Sequence, residues 1–225
     1  MQTESRKIAI GDNFSISSRW IIPEEYKRSR TALILAHGSG SDMEHEFIVD
    51  FQRRLSELGF LTISFNFPYK ERGRKFPDRP EVLEKTYTAL MEIVRQDSLS
   101  PEKLFIGGKS LGGRIASHLV AAGEKVTGLF FLGYPLHPMG RTETIRTNHW
   151  PQLNCPVLFV QGSKDRLCEF PLLEQELPKI PGKTTLHLVK RGNHSLDTST
   201  RSKIRDETRT EICLRILRWI QEVEN

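Results

Sequence analysis

Short apolar runs alternate along this chain with segments whose apolar positions recur every three to four residues. The runs at 32–36, 61–67, 104–107, 128–132, 157–161 and 185–189 are nearly continuous, as expected of strands buried on both faces of a parallel sheet. Between them, Phe47, Phe51, Leu55 and Leu58 fall at helical intervals and Gly59 offers a stop. Leu83, Tyr87, Leu90 and Val94 form a second stripe, entered through Pro80, whose missing N–H costs little in a first turn. Ile212, Ile216, Leu217 and Ile220 mark a closing helix packed on the sheet. Strands alternating with helices predict a mostly parallel central sheet with crossover helices on both faces. Two opening runs, 7–10 and 14–22, flank the turn signal Gly11-Asp12-Asn13 and predict an N-terminal antiparallel hairpin at one sheet edge. With no repeat, low-complexity tract or linker, residues 1–225 read as a single α/β domain, a length one core can serve.

Composition narrows the function. Hydrophobic residues at 37% and charged residues at 27% argue against disorder. The formal charge of +5 is scattered from Arg6 to Arg218 among local carboxylates, so it reads as a solvated surface and nucleic acid is not an expected partner. If Arg72, Arg74, Lys109, Arg141 and Arg146 converged near a pocket, they would favour an anionic substrate. Cys155, Cys168 and Cys213 match no zinc or redox spacing, and no His/Asp/Glu cluster has metal-ligand spacing; reduced thiols, no metal and no cofactor are expected. Residues 1–7 lack a signal-peptide apolar region and no stretch approaches about 18 apolar residues, which predicts a cytoplasmic protein without a membrane partner.

The chemistry gathers where predicted strands end. The run 104–107 leads into Gly108-Lys109-Ser110-Leu111-Gly112-Gly113, a G-x-S-x-G pattern between strand and helix. Glycines two before and two after Ser110 relieve a sharp turn that would expose the hydroxyl at the carboxyl edge of the sheet. The following helix would aim its unpaired N–H groups and partial positive charge at a reacting carbonyl. A phosphate-binding loop is a poor rival, since the chain lacks the glycine and four intervening residues that such a loop requires before Gly108-Lys109.

Ala36-His37-Gly38-Ser39-Gly40 follows the 32–36 run, and its small residues let backbone amides face a ligand. The amide of Leu111 with that of Ser39 or Gly40 would form an oxyanion hole, each donor worth about 2.7–4 kcal/mol in the transition state. His37 reads as structural, its ring hydrogen-bonding the loop. Asp165, in Gln161-Gly162-Ser163-Lys164-Asp165, and His194, in Gly192-Asn193-His194-Ser195, each follow a later strand at the same edge. Taken alone, Asp165 could be a helix cap. Together the three give Ser110 as nucleophile, Asp165 as orienting acid and His194 as base, in the order Ser, Asp, His. His45, His118, His137, His149 and His187 lack this placement, although His137 and His149 could line a pocket.

On these residues the sequence resembles the α/β-hydrolase superfamily over nearly its full length, particularly its small dienelactone-hydrolase-like members. A narrower resemblance rests on 106–114, on Phe65-Asn66-Phe67-Pro68-Tyr69 and on Gly133-Tyr134-Pro135-Leu136-His137-Pro138. It is to the hydrolase-like family of testis-expressed and NSL-complex subunit relatives, which implies fold and triad more firmly than substrate and allows a non-catalytic branch.

The expected function is that of a serine hydrolase acting on carboxylic ester or thioester bonds through an acyl-enzyme at Ser110. Only residues 133–156 separate two consecutive strands, too few for a large cap, so the site should be open to a small ester-type substrate. Tyr69, Tyr134, His149 and Trp150, with Leu136, are the expected pocket walls. Two rivals share the fold: a non-catalytic protein-binding module and a serine peptidase. Oligomeric state is not readable from the sequence.

Overall fold

The computed structural model describes residues 1–11, 14–26 and 30–224. Eight strands form one sheet: β1 (Gln2–Ala9), β2 (Ser15–Ile22), β3 (Thr31–Ala36), β4 (Leu61–Phe65), β5 (Lys103–Lys109), β6 (Gly128–Leu132), β7 (Val157–Gly162) and β8 (Thr184–Val189). Their order is β1-β2-β4-β3-β5-β6-β7-β8. The β1–β2 hairpin is antiparallel, with Ile8 opposite Ile16, and β2 joins β4 antiparallel; every later pairing is parallel. Ile10 N–H donates to the Phe14 carbonyl across the hairpin turn; Asp12 and Asn13 of the expected turn lie outside the described residues.

Among the described residues the helices that flank the sheet are α1 (Glu46–Glu57), α2 (Pro68–Glu71), α3 (Pro80–Gln96), α4 (Leu111–Ala121), α5 (Phe170–Glu176) and α6 (Ser202–Glu224). Side chains alternate across each strand, so β3 sends Leu33 and Leu35 to one face and Ala32, Ile34 and Ala36 to the other. The first face is covered by Phe51 and Leu55 of α1 and Ile212, Ile216 and Trp219 of α6. The second is covered by Leu83, Tyr87 and Leu90 of α3 and Ile115 and Leu119 of α4. Burying one such side chain is worth about 1.5–3 kcal/mol, so each apolar stripe suffices to turn that side of its helix to the sheet, while right-handed crossovers select the face.

Several boundaries and one burial pattern differ from expectation, beginning with β1, which starts at Gln2 rather than at 7. The fourth strand ends at Phe65 rather than at 67, because Phe67 precedes a proline and is held extended (φ −68°, ψ 153°) as Pro68 opens α2. β5 runs on to Lys109, because β3 and β6 flank it on both sides, pairing Gly108 with Ala36 and Lys109 with Leu132. β8 is not buried on both faces: as the sheet's far edge it is half-buried from Thr184 to Leu188. The 133–156 segment carries one 3-10 turn, Trp150–Gln152, and no cap domain.

Candidate active site

β5 delivers Ser110 into a backbone conformation (φ 51°, ψ −115°) that L-residues rarely adopt. The turn closes because Gly108 (φ 151°) and Gly112 both lie against the backbone of Ala36 on β3, where a Cβ on either would overlap it. The chain then enters α4, whose first i→i−4 bond runs from Arg114 N to the Ser110 carbonyl (3.1 Å), leaving the first-turn amides ahead of it outside the helical ladder.

The β7 and β8 loops bring two further side chains to this turn. Ser110 Oγ lies 2.9 Å from His194 Nε2, and His194 Nδ1 lies 2.7 Å from Asp165 Oδ2. A carboxylate can only accept, so Nδ1 carries the proton and Nε2 is left to accept the Ser110 hydroxyl. The Asp165 side chain is fully buried, yet both its oxygens are occupied. Oδ2 also accepts from Gln161 Nε2 (2.6 Å) and Oδ1 accepts from Leu167 N (2.8 Å). That network satisfies a buried charge that would otherwise be costly. Gln161 escaped the sequence reading; its signal was a polar side chain at the end of an apolar strand.

Lys109, beside Ser110, is another buried charge. Its Nζ donates to the His194 carbonyl and stands 5.6 Å over the Phe47 ring. Burial pulls the amine down to about 8, while Asp165 and Asp197 pull the other way.

The loop after β3 is pinned from below. His37 Nδ1 donates to the Gly38 carbonyl (2.8 Å) and its Nε2 accepts from Phe67 N (3.2 Å), so the ring ties the β3 and β4 loops together. Burial pushes this imidazole down to about 4, keeping it neutral for both bonds. Ser41 N and Oγ and Tyr69 Oη also converge on the Gly38 carbonyl.

A hollow of about 190 Å³ opens over Ser110, lined by Gly38, Ser39, His45, Phe47, Ile48 and Lys109 among others. Gly40 turns the chain just outside it (φ 76°). The expected pocket walls are elsewhere. Tyr69, Tyr134 and Trp150 are fully buried. Tyr69 supports Gly38 from beneath; Tyr134 Oη donates to the Arg146 carbonyl (2.8 Å) and accepts from Trp150 Nε1 (3.3 Å). His149 contacts Ser117 instead (2.7 Å) and faces a different hollow. These aromatic side chains are too large and apolar to leave exposed, and the sheet edge offered them a core. The walls are supplied by the amino end of α1, whose Phe47 read as an ordinary core position. His137 is also no pocket residue: its ring bonds the Pro138 carbonyl and Glu169 N.

The basic residues named from sequence do not converge. Arg72 lies over the Phe14 ring, Arg74 pairs with Asp78, Lys109 reaches the cleft, Arg141 is exposed, and Arg146 borders the second hollow. Among the described residues no group of His, Cys, Asp or Glu side chains is placed to hold a metal, and no helix is long and apolar enough to cross a membrane.

Residues 29–221 match the model of the alpha/beta hydrolase domain family. The chain belongs to that family. Its α/β-hydrolase fold is shared with solved structures at low identity. A dienelactone hydrolase from Anabaena variabilis superposes with a TM-score of 0.76 at 17% identity, covering 98% of this chain and 97% of that one. Est1E from Butyrivibrio proteoclasticus gives 0.75 at 14%, covering 96% and 99%. An α/β serine hydrolase without lid from Xanthomonas campestris gives 0.74 at 17%, covering 98% and 94%. As an α/β-hydrolase fold without a large cap, the chain places its Ser-His-Asp constellation at the carboxyl edge of the sheet.

Proposed function

We propose that this α/β-hydrolase-family protein is a serine hydrolase that cleaves small carboxylic ester or thioester substrates through an acyl-enzyme at Ser110. One observation carries the reading: Ser110 Oγ, the His194 ring and the Asp165 carboxylate form a continuous hydrogen-bonded chain, at 2.9 and 2.7 Å. His194 Nε2 takes the hydroxyl proton as Ser110 Oγ attacks the carbonyl carbon, and Asp165 stabilises the imidazolium that results. The tetrahedral oxyanion is received by the amides of Leu111 and of Ser39 or Gly40. Its collapse expels the alcohol or thiol, which takes the proton from His194. A water, deprotonated in turn by His194, then releases the acid and restores Ser110.

The hollow of about 190 Å³ suits a short acyl group, so an extended peptide is the less fitting substrate. A purely protein-binding role leaves the aligned triad and its buried charge without purpose. The test is reaction with a fluorophosphonate probe followed by an ester and thioester panel. Rapid labelling of the native protein that is absent in Ser110→Ala is expected; equal labelling of both, or none of the folded native protein, would overturn the proposal.

A further inference from the structure

A second hollow, of about 420 Å³, lies along α4 and shares no lining residue with the cleft over Ser110. Glu84, Arg114, His118, Arg146, Asn148 and His149 border it. Among the described residues its one lining carboxylate is engaged: Glu84 Oε1 lies 2.7 Å from His118 Nδ1. His149 donates from Nε2 to Ser117 Oγ, which itself donates to the Arg114 carbonyl, and its ring meets the His118 ring edge-on at 4.5 Å.

The two arginines are different. Among the described residues neither guanidinium forms an ion pair, and Arg114 Nε is buried with no hydrogen-bond partner. Arg146 is fixed by its backbone, N–H to the Leu136 carbonyl and C=O from Tyr134 Oη, while its side chain makes only a 3.4 Å bond to the Pro135 carbonyl. Burial, and after it the nearness of Arg114, hold Arg146 below the usual guanidinium range.

The contrast with the larger hollow beside α1 and α6, about 470 Å³, is instructive. There Arg54 and Arg209 are ion-paired internally by Asp50, Glu46 and Asp206, although Arg209 Nε, like Arg114 Nε, is buried without a hydrogen-bond partner, so the missing counter-charge is what sets the α4 hollow apart. Arg114 and Arg146 face one hollow with no carboxylate among the described residues answering either guanidinium, so the hollow is a site lacking its acceptor.

We infer that the Arg114–Arg146 hollow binds the carboxylate or phosphate group of a small molecule. Two forked donors and the Asn148 amide match the planar or tetrahedral oxygens of such a group. The volume exceeds what a bare ion needs, so the group is carried by a larger molecule. Two sources share this chemistry: the acidic end of an ester processed at Ser110, or a separate anionic ligand.

The test is a titration with inorganic phosphate and with succinate, against chloride at equal ionic strength, following the Arg Nε–H resonances and the thermal midpoint. Saturable movement of the Arg114 Nε–H signal and a rise in midpoint are expected in the native protein and equally in Ser110→Ala. Affinity should fall at least about tenfold in Arg114→Gln and in Arg146→Gln. No saturable response, or the same affinity in a folded Arg146→Gln protein, overturns the inference. Because Ser110→Ala is included, phosphate binding with an unreactive serine would sink only the hydrolase proposal. Competitive inhibition of neutral aryl-ester hydrolysis by succinate would identify the substrate's own acid as the source; binding that leaves KM unchanged would identify a separate ligand.

Discussion

Two hollows meet helix α4, one at the Ser110 turn that precedes it and one along its Arg114–His118 flank, and they treat buried polarity in opposite ways. Around Ser110 the buried groups answer one another: Asp165 accepts three hydrogen bonds, Gln161 fixes its carboxylate, and Lys109 is spent on the His194 carbonyl. Along the flank, two guanidinium groups are held without a counter-charge. A closed network fixes geometry, which is what moving a proton between defined atoms requires. An open one stores unspent donor capacity, which is what capture of an outside acceptor requires.

Opening the closed network should have the largest effect. Asp165→Asn removes the acceptor that holds the proton on His194 Nδ1, so the ring settles in the other tautomer and Nε2 no longer accepts from Ser110. Ester turnover and probe labelling should drop by about 10⁴-fold with the fold retained, as measured by initial rates and circular dichroism. A loss under tenfold would mean that the chain of hydrogen bonds does not govern reactivity.

The second effect tests how tightly the cleft confines Lys109. Its amine is drawn from 10.5 to about 8 in the folded protein. The unfolded chain therefore holds more protons between these values, and the stability owed to this group is present above pH 10.5 and lost as pH falls to 8. Denaturant titrations of native protein and Lys109→Met should show the native protein gaining up to about 3 kcal/mol on the variant from pH 8 to 10.5. Parallel pH profiles would show that the amine is effectively solvated.

The smallest effect belongs to the open hollow. Arg146→Gln removes one of two like charges, so the variant should be more stable than the native protein by about 0.5 kcal/mol in low salt. The gain should shrink as salt screens the pair. Thermal unfolding across a salt series measures it; a salt-independent loss would mean that Arg146 serves packing instead.

The candidate triad was legible because each member sits where a strand stops. The Gly108–Ser110–Gly112 spacing, the Gly162 turn before Asp165 and the Gly192 turn before His194 are local signals, and the carboxyl ends of parallel strands share one edge. Pocket walls carry no such signal. Tyr134 and Trp150 followed the right strand and read as cleft aromatics, yet they pack on each other and on Phe159 in the core. Phe47, on a stripe that read as core, borders the cleft because the amino end of α1 points over Ser110. Arg114 drew no notice among scattered basic residues, since an unpaired charge is defined by what fails to lie near it.

The sequence by itself determined the order of strands and helices along the chain, the side each helix buries and the edge at which Ser110, Asp165 and His194 emerge. Continuous apolar runs and helical-period stripes, together with right-handed crossovers, leave few other arrangements. Only the tertiary structure decided which side chains wall the cleft, which carboxylates find a base, and that Arg114 and Arg146 face one hollow unpaired. Those outcomes depend on contacts between residues far apart in the chain, where packing and desolvation choose among partners that local patterns leave equivalent.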